Sequence, residues 1–109
     1  METRRDVFQA IADPTRREII QLLAHQPMHL NAIAEKFDIS RPAISQQIKI
    51  LEACGLVHIT QEGRQRSCQA TLEKLVEVKD WVEQYKQYWE NAFRSLDAYL
   101  EKIQDKQNP

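Results

Sequence analysis

The stretch from Ser40 to Leu51, SRPAISQQIKIL, carries Arg41, Ser45, Gln46, Gln47 and Lys49 but neither Asp nor Glu. These side chains suit the edges of base pairs. A glutamine amide can donate to and accept from adenine at once, a serine hydroxyl takes either partner, and arginine or lysine reaches guanine or phosphate. Acids, which phosphate repels, are missing from the same stretch. A second basic pair, Arg64 and Arg66, follows in QEGRQR, where Gly63 marks a tight turn. At and just after a hairpin tip, two arginines can hold a nucleic-acid backbone or reach an adjacent minor groove.

To serve that chemistry, the first stretch must be a helix and the second a hairpin. Ser40 is a good N-cap, Pro42 is tolerated in the first turn, and Ile44, Ile48 and Leu51 fall on one side, spaced by four and three. At about 100° per residue, Pro42, Ser45, Gln46 and Lys49 lie on the opposite side. Gly55 follows as a C-terminal stop. LVHIT and RSCQATL read as two short strands around QEGRQ, with Gly63 supplying the positive φ of the turn, a hairpin that sets His58 opposite Cys68. Upstream, Val7, Phe8 and Ile11 have helical spacing. Asp13 caps a second helix that has Pro14 in its first position and Ile19, Ile20, Leu22 and Leu23 on its apolar stripe. Leu30, Ile33, Ala34 and Phe37 give a short third helix, and "DIS" connects it tightly to the next. The order is helix, short turn, helix, then a wing.

From Leu72 to Ile103 the pattern is that of one long helix. Leu75, Val78, Val82, Tyr85, Trp89, Ala92, Leu96, Tyr99 and Ile103 alternate steps of three and four in an unbroken seam, widened by Trp81, Tyr88, Phe93 and Leu100. Such a helix is ~45 Å long at 1.5 Å per residue, whereas a domain of this size has a radius of gyration of ~13 Å. Part of the face must therefore pack outside its own domain, and a second copy is the simplest partner. The aromatic group Trp81, Tyr85, Tyr88 and Trp89 reads first as interface packing; a pocket for an apolar or cationic small molecule is the alternative.

The totals bound the function classes. With 109 residues and 42% hydrophobic content, the chain supports one domain with a single core. Its only glycines are Gly55 and Gly63, too few for a glycine-rich phosphate cradle. No nucleophile, base and orienting group form a trio, so an enzyme is not expected, and no cofactor is. No run reaches the ~18 apolar residues of a membrane span and METRRDVF lacks a signal-peptide core, so a cytoplasmic protein is expected. Cys54 and Cys68 form no CxxC pair and are expected as reduced thiols. The net charge of −1 argues against indiscriminate attachment to nucleic acid, but the charge is uneven. Residues 41–70 hold Arg41, Lys49, Arg64 and Arg66 against Glu52 and Glu62, while the segment from Thr71 on carries an excess of acids.

FQAIADPTRREIIQLLA, ISRPAISQQIKILEACGLV and EGRQRSCQATL, taken in order, resemble the successive blocks of the ArsR-type winged helix-turn-helix repressors of bacteria. The likeness runs over roughly residues 6 to 72. It implies a mostly α fold with a small β-hairpin wing, in a single domain 1–109: an N-terminal dimerisation helix in 1–12, a DNA-binding core and wing in 13–72, and a C-terminal dimerisation helix in 73–105. Residue by residue, it implies that Arg41, Ser45, Gln46 and Lys49 face DNA and that Arg64 and Arg66 work from the wing. Gln47 stands where many members have histidine and joins that set. The resemblance also implies a homodimer joined through the first and last helices, with Val7, Phe8, Val82, Tyr85, Trp89, Ala92, Leu96 and Tyr99 at the interface.

Many relatives sense metals through a cysteine pair at the start of the third helix, but here that region reads MHLNAIAEKF. Another sensor site uses His on the last helix, and no His lies beyond His58. Cys54, His58 and Cys68 remain as soft ligands for a metal or a thiol switch, with packing as the plainer role. Three functions are therefore expected in competition. The first is a dimeric repressor reading an inverted repeat in double-stranded DNA. The second is a version of it released by a small molecule, thiol chemistry or metal, and the third is a protein-interaction module built on the long helix.

Overall fold

The computed structural model describes residues 6–107, with side chains through residue 106. Residues 1–5 of the expected N-terminal dimerisation segment lie outside the described residues. The chain divides after Val78 into two compact units.

In the first unit, α1 (Val7–Ala10) is a single turn whose Asp6 cap accepts from the Gln9 N–H at 2.9 Å. Helix α2 (Pro14–His25) starts at Asp13, whose carboxylate accepts from the Arg16 N–H at 3.2 Å, with Pro14 where its missing N–H costs nothing. A two-residue strand, β1 (Met28–His29), runs into α3 (Leu30–Ala34). This helix is shorter than the apolar spacing predicts. After Ala34 the backbone tightens into i→i+3 bonds, Lys36 N–H to Ile33 O and Phe37 N–H to Ala34 O, so Phe37 reaches the core from a turn.

Helix α4 (Arg41–Ala53) begins with the Ser40 hydroxyl accepting from the Ala43 N–H at 3.2 Å. It ends in a Schellman motif: the Gly55 N–H bonds to Glu52 O and the Leu56 N–H to Leu51 O, both at 3.0 Å, with Gly55 at φ +82°. Leu51 and Leu56, the apolar pair that accompanies this motif, are both fully buried. Ile44, Ile48 and Leu51 meet Ile19 of α2, Ile33 of α3, Val7 and Cys68 in one core, and among the described residues no polar or charged side chain is buried. Burying each such aliphatic side chain stabilises the unit by about 1.5–3 kcal/mol.

Strands β2 (Val57–Glu62) and β3 (Gln65–Ala70) form the hairpin, and β1 adds to the far edge of β3, so the wing is a three-stranded antiparallel sheet in the order β1-β3-β2. The sequence reading has only the hairpin. Glu62 pairs with Gln65, leaving a two-residue loop of Gly63 (φ +61°) and Arg64, the pattern of a type II′ turn.

A 3-10 turn (Leu72–Leu75) leads into α5 (Val76–Glu83), which carries the chain past the division. The second unit is dominated by α6 (Lys86–Gln107). The single helix read from Leu72 to Ile103 is thus in pieces. At Gln84 and Tyr85 the ladder tightens, the Tyr85 N–H bonding three residues back to Val82 O, and regular bonding resumes with the Trp89 N–H on Tyr85 O. Apolar steps of three and four fit either winding, and neither Gly nor Pro marks the place.

Candidate nucleic-acid interface

Burial of Ile44, Ile48 and Leu51 fixes the rotation of α4 and leaves Arg41, Gln46 and Lys49 exposed, with Ser45 and Gln47 on its two half-buried flanks. The two-residue turn fixes the wing in the same way, putting Arg64 at the tip and Arg66 two residues along β3. Between α4 and the wing lies a groove of about 560 Å³, lined among others by Asn31, Arg41, Ser45, Gln61, Arg64 and Arg66. Three guanidinium groups therefore border one concavity, and among the described residues no carboxylate lines it. The nearby acid of the hairpin, Glu62, is held elsewhere: its carboxylate lies 3.1 Å from His29 Nε2 on β1.

The structure thus gathers Arg41, Ser45, Arg64 and Arg66 around one groove and leaves Gln46 and Lys49 open on the adjoining face of α4. Gln47 is set apart, because its Oε1 accepts from Arg16 Nη1 at 2.8 Å. Sequence reasoning misses Arg16, Asn31 and Gln61. Asn31 gives no signal, since it sits at the start of a helix whose pattern shows only its apolar side. Gln61 belongs to the strand rather than to a loose turn, and its amide donates to Gly63 O at 2.9 Å.

Two expectations about soft ligands and interface residues are corrected. Ile59, not His58, stands opposite Cys68, and His58 faces Gln69. The turn is centred between Gly63 and Arg64 instead of on Gly63, and a shift of one residue turns a strand side chain to the other face. His58 is accordingly exposed while Cys68 is fully buried. Burial pushes the Cys68 thiol above its ordinary value, helped by the charge of Glu52 and opposed by Arg66. Neither cysteine is in a disulfide, and Cys54 is buried as well. Among the described residues, no three His, Cys, Asp or Glu side chains form a group able to hold a metal ion. Val7, expected at a dimer interface, is instead buried in the core of this chain, which leaves it no surface to share. Phe8, Tyr85, Trp89, Leu96 and Tyr99 are exposed, as are Tyr88 and Phe93 at 72% and 67%; Ala92 is exposed and Val82 half-buried.

The pattern described as "Bacterial regulatory protein, arsR family" matches residues 13–58, from the Asp13 cap of α2 into β2. The chain is 42% identical over 59 residues to the HTH-type transcriptional regulator Rv2034 of Mycobacterium tuberculosis, a match covering 54% of this chain and 55% of that one. It is equally identical, over the same length, to the transcriptional repressor SdpR of Bacillus subtilis, covering 66% of that protein. These matches span about half to two thirds of the curated relatives. Among solved structures, an ArsR family transcriptional regulator, RHA00566, superposes with a TM-score of 0.68 at 34% identity, over 76% of this chain and 86% of that one. The chain belongs to the ArsR family. An ArsR-like regulator from Rhodococcus sp. RHA1 superposes with a TM-score of 0.67 over 88% of each chain at 28% identity, so the ArsR likeness extends beyond the matched helix-turn-helix. Among the described residues of this ArsR protein, no helix is long and apolar enough to cross a membrane.

Proposed function

We propose that this ArsR-family chain is a homodimeric, sequence-specific DNA-binding transcriptional regulator that represses by occupying an inverted-repeat operator. The observation that carries the reading is the acid-free groove between α4 and the wing, bordered by Arg41, Arg64 and Arg66 and continuous with the exposed Gln46 and Lys49. Helix α4 enters the major groove, where Gln46 pairs with adenine and Ser45 takes a neighbouring edge, while the arginines and Lys49 hold phosphates on either side. The repressor name of the Bacillus relative supports the direction of regulation.

The second copy is supplied by the second unit. Leu96, Tyr99, Trp89, Phe93 and Leu100 leave an apolar stripe of α6 open to solvent, 43–67% exposed, and a parallel or antiparallel partner helix buries such a stripe at little cost. Two copies then present two α4 helices to successive major grooves, about 34 Å apart. Selection from a random duplex library tests the reading. An inverted repeat with half-sites about one helical turn apart is the expected product, and recovery of no sequence above input refutes it.

A further inference from the structure

The apolar side of α6 is wider than one partner helix covers. At about 100° per residue, Trp89, Ala92, Leu96, Tyr99 and Ile103 form a seam of alternating threes and fours that spans an arc of about 80°. Phe93 and Leu100 stand beside it on one flank and Tyr88 on the other, which widens the arc to about 140°. In a two-stranded pair those flanking positions carry charges that bracket the seam. Here they carry two rings and a leucine, 72% exposed at Tyr88, 67% at Phe93 and 47% at Leu100. The opposite side of the helix is polar and bonded within itself: Lys86 Nζ lies 3.9 Å from Glu90 Oε1, and Arg94 Nη2 donates to Asn91 Oδ1 at 2.7 Å. An apolar arc of more than about 100° is the mark of a helix that faces a bundle core and touches two neighbours instead of one.

The rest of the chain offers little to serve as the second neighbour. Helix α6 has 22 residues, a length of about 33 Å. The first helix, which the resemblance places at the interface, is one turn of four residues, about 6 Å long, with Val7 and Ala10 buried. Among the described residues of the first unit, the large hydrophobic side chains left exposed are Phe8, Ile39, Leu72 and Val76, divided among separate segments. All the others, from Trp81 to Leu100, belong to the second unit. The surface among the described residues that is long and apolar enough to match α6 is therefore α6 itself, on another copy.

We propose that the homodimer pairs again through α6, giving a tetramer whose core is a bundle of four α6 helices; this rests on the dimer proposed above. The seam meets the first partner, and Phe93 and Leu100 meet a helix of the second pair. Two self-complementary contacts on different flanks of one helix close about crossed two-fold axes, so the assembly stops at four chains. It then carries four α4 helices in two pairs and holds two inverted repeats at once.

Sedimentation velocity over a wide range of protein concentration tests the proposal, with wild type, Phe93→Glu, Leu100→Glu and Leu96→Glu side by side. Wild type is expected at four chains, dissociating to two on dilution. Phe93→Glu and Leu100→Glu, which change only the flank, should stay at two chains at every concentration, and Leu96→Glu, in the seam, at one. Phe93→Leu keeps the flank apolar and should keep four chains, which separates loss of the contact from loss of the helix. With operator duplex added, wild type should sediment as four chains with two duplexes and the flank variants as two chains with one. A wild type that stops at two chains at the highest concentration overturns the tetramer and leaves the dimer standing. A wild type of one chain removes both. Flank variants that fall to one chain also overturn the proposal, because they would place Phe93 and Leu100 in the first seam. The masses are read without DNA, so a selection that enriches no duplex refutes the DNA-reading function and leaves this result to stand or fall alone.

Discussion

Replacing Arg64 with alanine changes one charge at the wing tip, and its effect on salt dependence can be worked out from the groove. Arg41, Lys49, Arg64 and Arg66 are the exposed cations on or beside the acid-free groove. If each neutralises one phosphate in both protomers, about eight counterions are released, and log affinity should fall against log salt with a slope of about −7. Removing Arg64 from both protomers leaves about six contacts and a slope of about −5.5. Between 50 and 200 mM salt, that is a loss of about 16,000-fold for wild type against about 2,000-fold for the variant. Neither Arg64 nor its neighbour Arg66 is engaged by a side-chain hydrogen bond or ion pair among the described residues, so the change should not act through stability. Fluorescence anisotropy on the enriched duplex at four or five salt concentrations reads the slope directly. Lys106→Ala, a charge deletion in the last turn of α6, is the control and should leave the slope at the wild-type value. An Arg64→Ala slope equal to wild type would refute the placement of the wing on the backbone, whatever the affinity does.

Other outcomes follow from the same structure. Leu96→Glu should convert the chain to a monomer in sedimentation velocity while leaving the far-ultraviolet spectrum of the winged unit intact, since Leu96 is half-exposed and outside its core. Gly55→Ala forces a Cβ into the left-handed region and to 2.9 Å from Lys74 Cε. The lysine tail can move but the backbone cannot, so a loss of about 1–2 kcal/mol is expected in thermal unfolding. Ser40→Ala removes the acceptor for the Ala43 N–H and should cost about 1 kcal/mol by the same assay. The Cys68 thiol is harder to ionise folded than unfolded. The unfolded chain therefore gives up its proton first. The contribution of this group to stability should be fully present below the ordinary thiol value of 9.0 and lost as pH rises above it, and at neutral pH Cys68 should resist alkylation until the protein unfolds. A Cys68 that reacts at neutral pH as fast as a free thiol would contradict its burial.

The sequence was most legible where a local rule has one physical solution. Asp13-Pro14 and Ser40 mark helix starts because a side-chain acceptor and a missing N–H fit nowhere else so well, and Ile44, Ile48 and Leu51 set the rotation of α4 because only one face can be dry. The acid-free face followed from that rotation. What depended on counting across a turn was lost: one residue of error at Gly63 and Arg64 placed His58 against Cys68 and made a ligand pair of two side chains on opposite faces. What depended on contacts between distant segments was invisible. The pairing of β1 with β3 joins residues some 40 positions apart, Met28 with Cys68, and the Arg16 clamp on Gln47 spans 31. Val7 shows the limit of a carried-over role, since helical spacing says that a residue is apolar on one side but not whether that side faces its own core or a partner.

The account rests most directly on whether α4 reads base sequence. The decisive measurement is the affinity of the wild-type chain, at one fixed salt concentration, for the enriched inverted repeat and for a scrambled duplex of the same length and composition, with Gln46→Ala measured beside it. A sequence-reading repressor should prefer the repeat by about 10³-fold or more, and Gln46→Ala should remove a large part of that preference while leaving binding to the scrambled duplex unchanged. Equal affinity for the two duplexes would contradict the account and turn attention to the exposed face of α6 as the working surface.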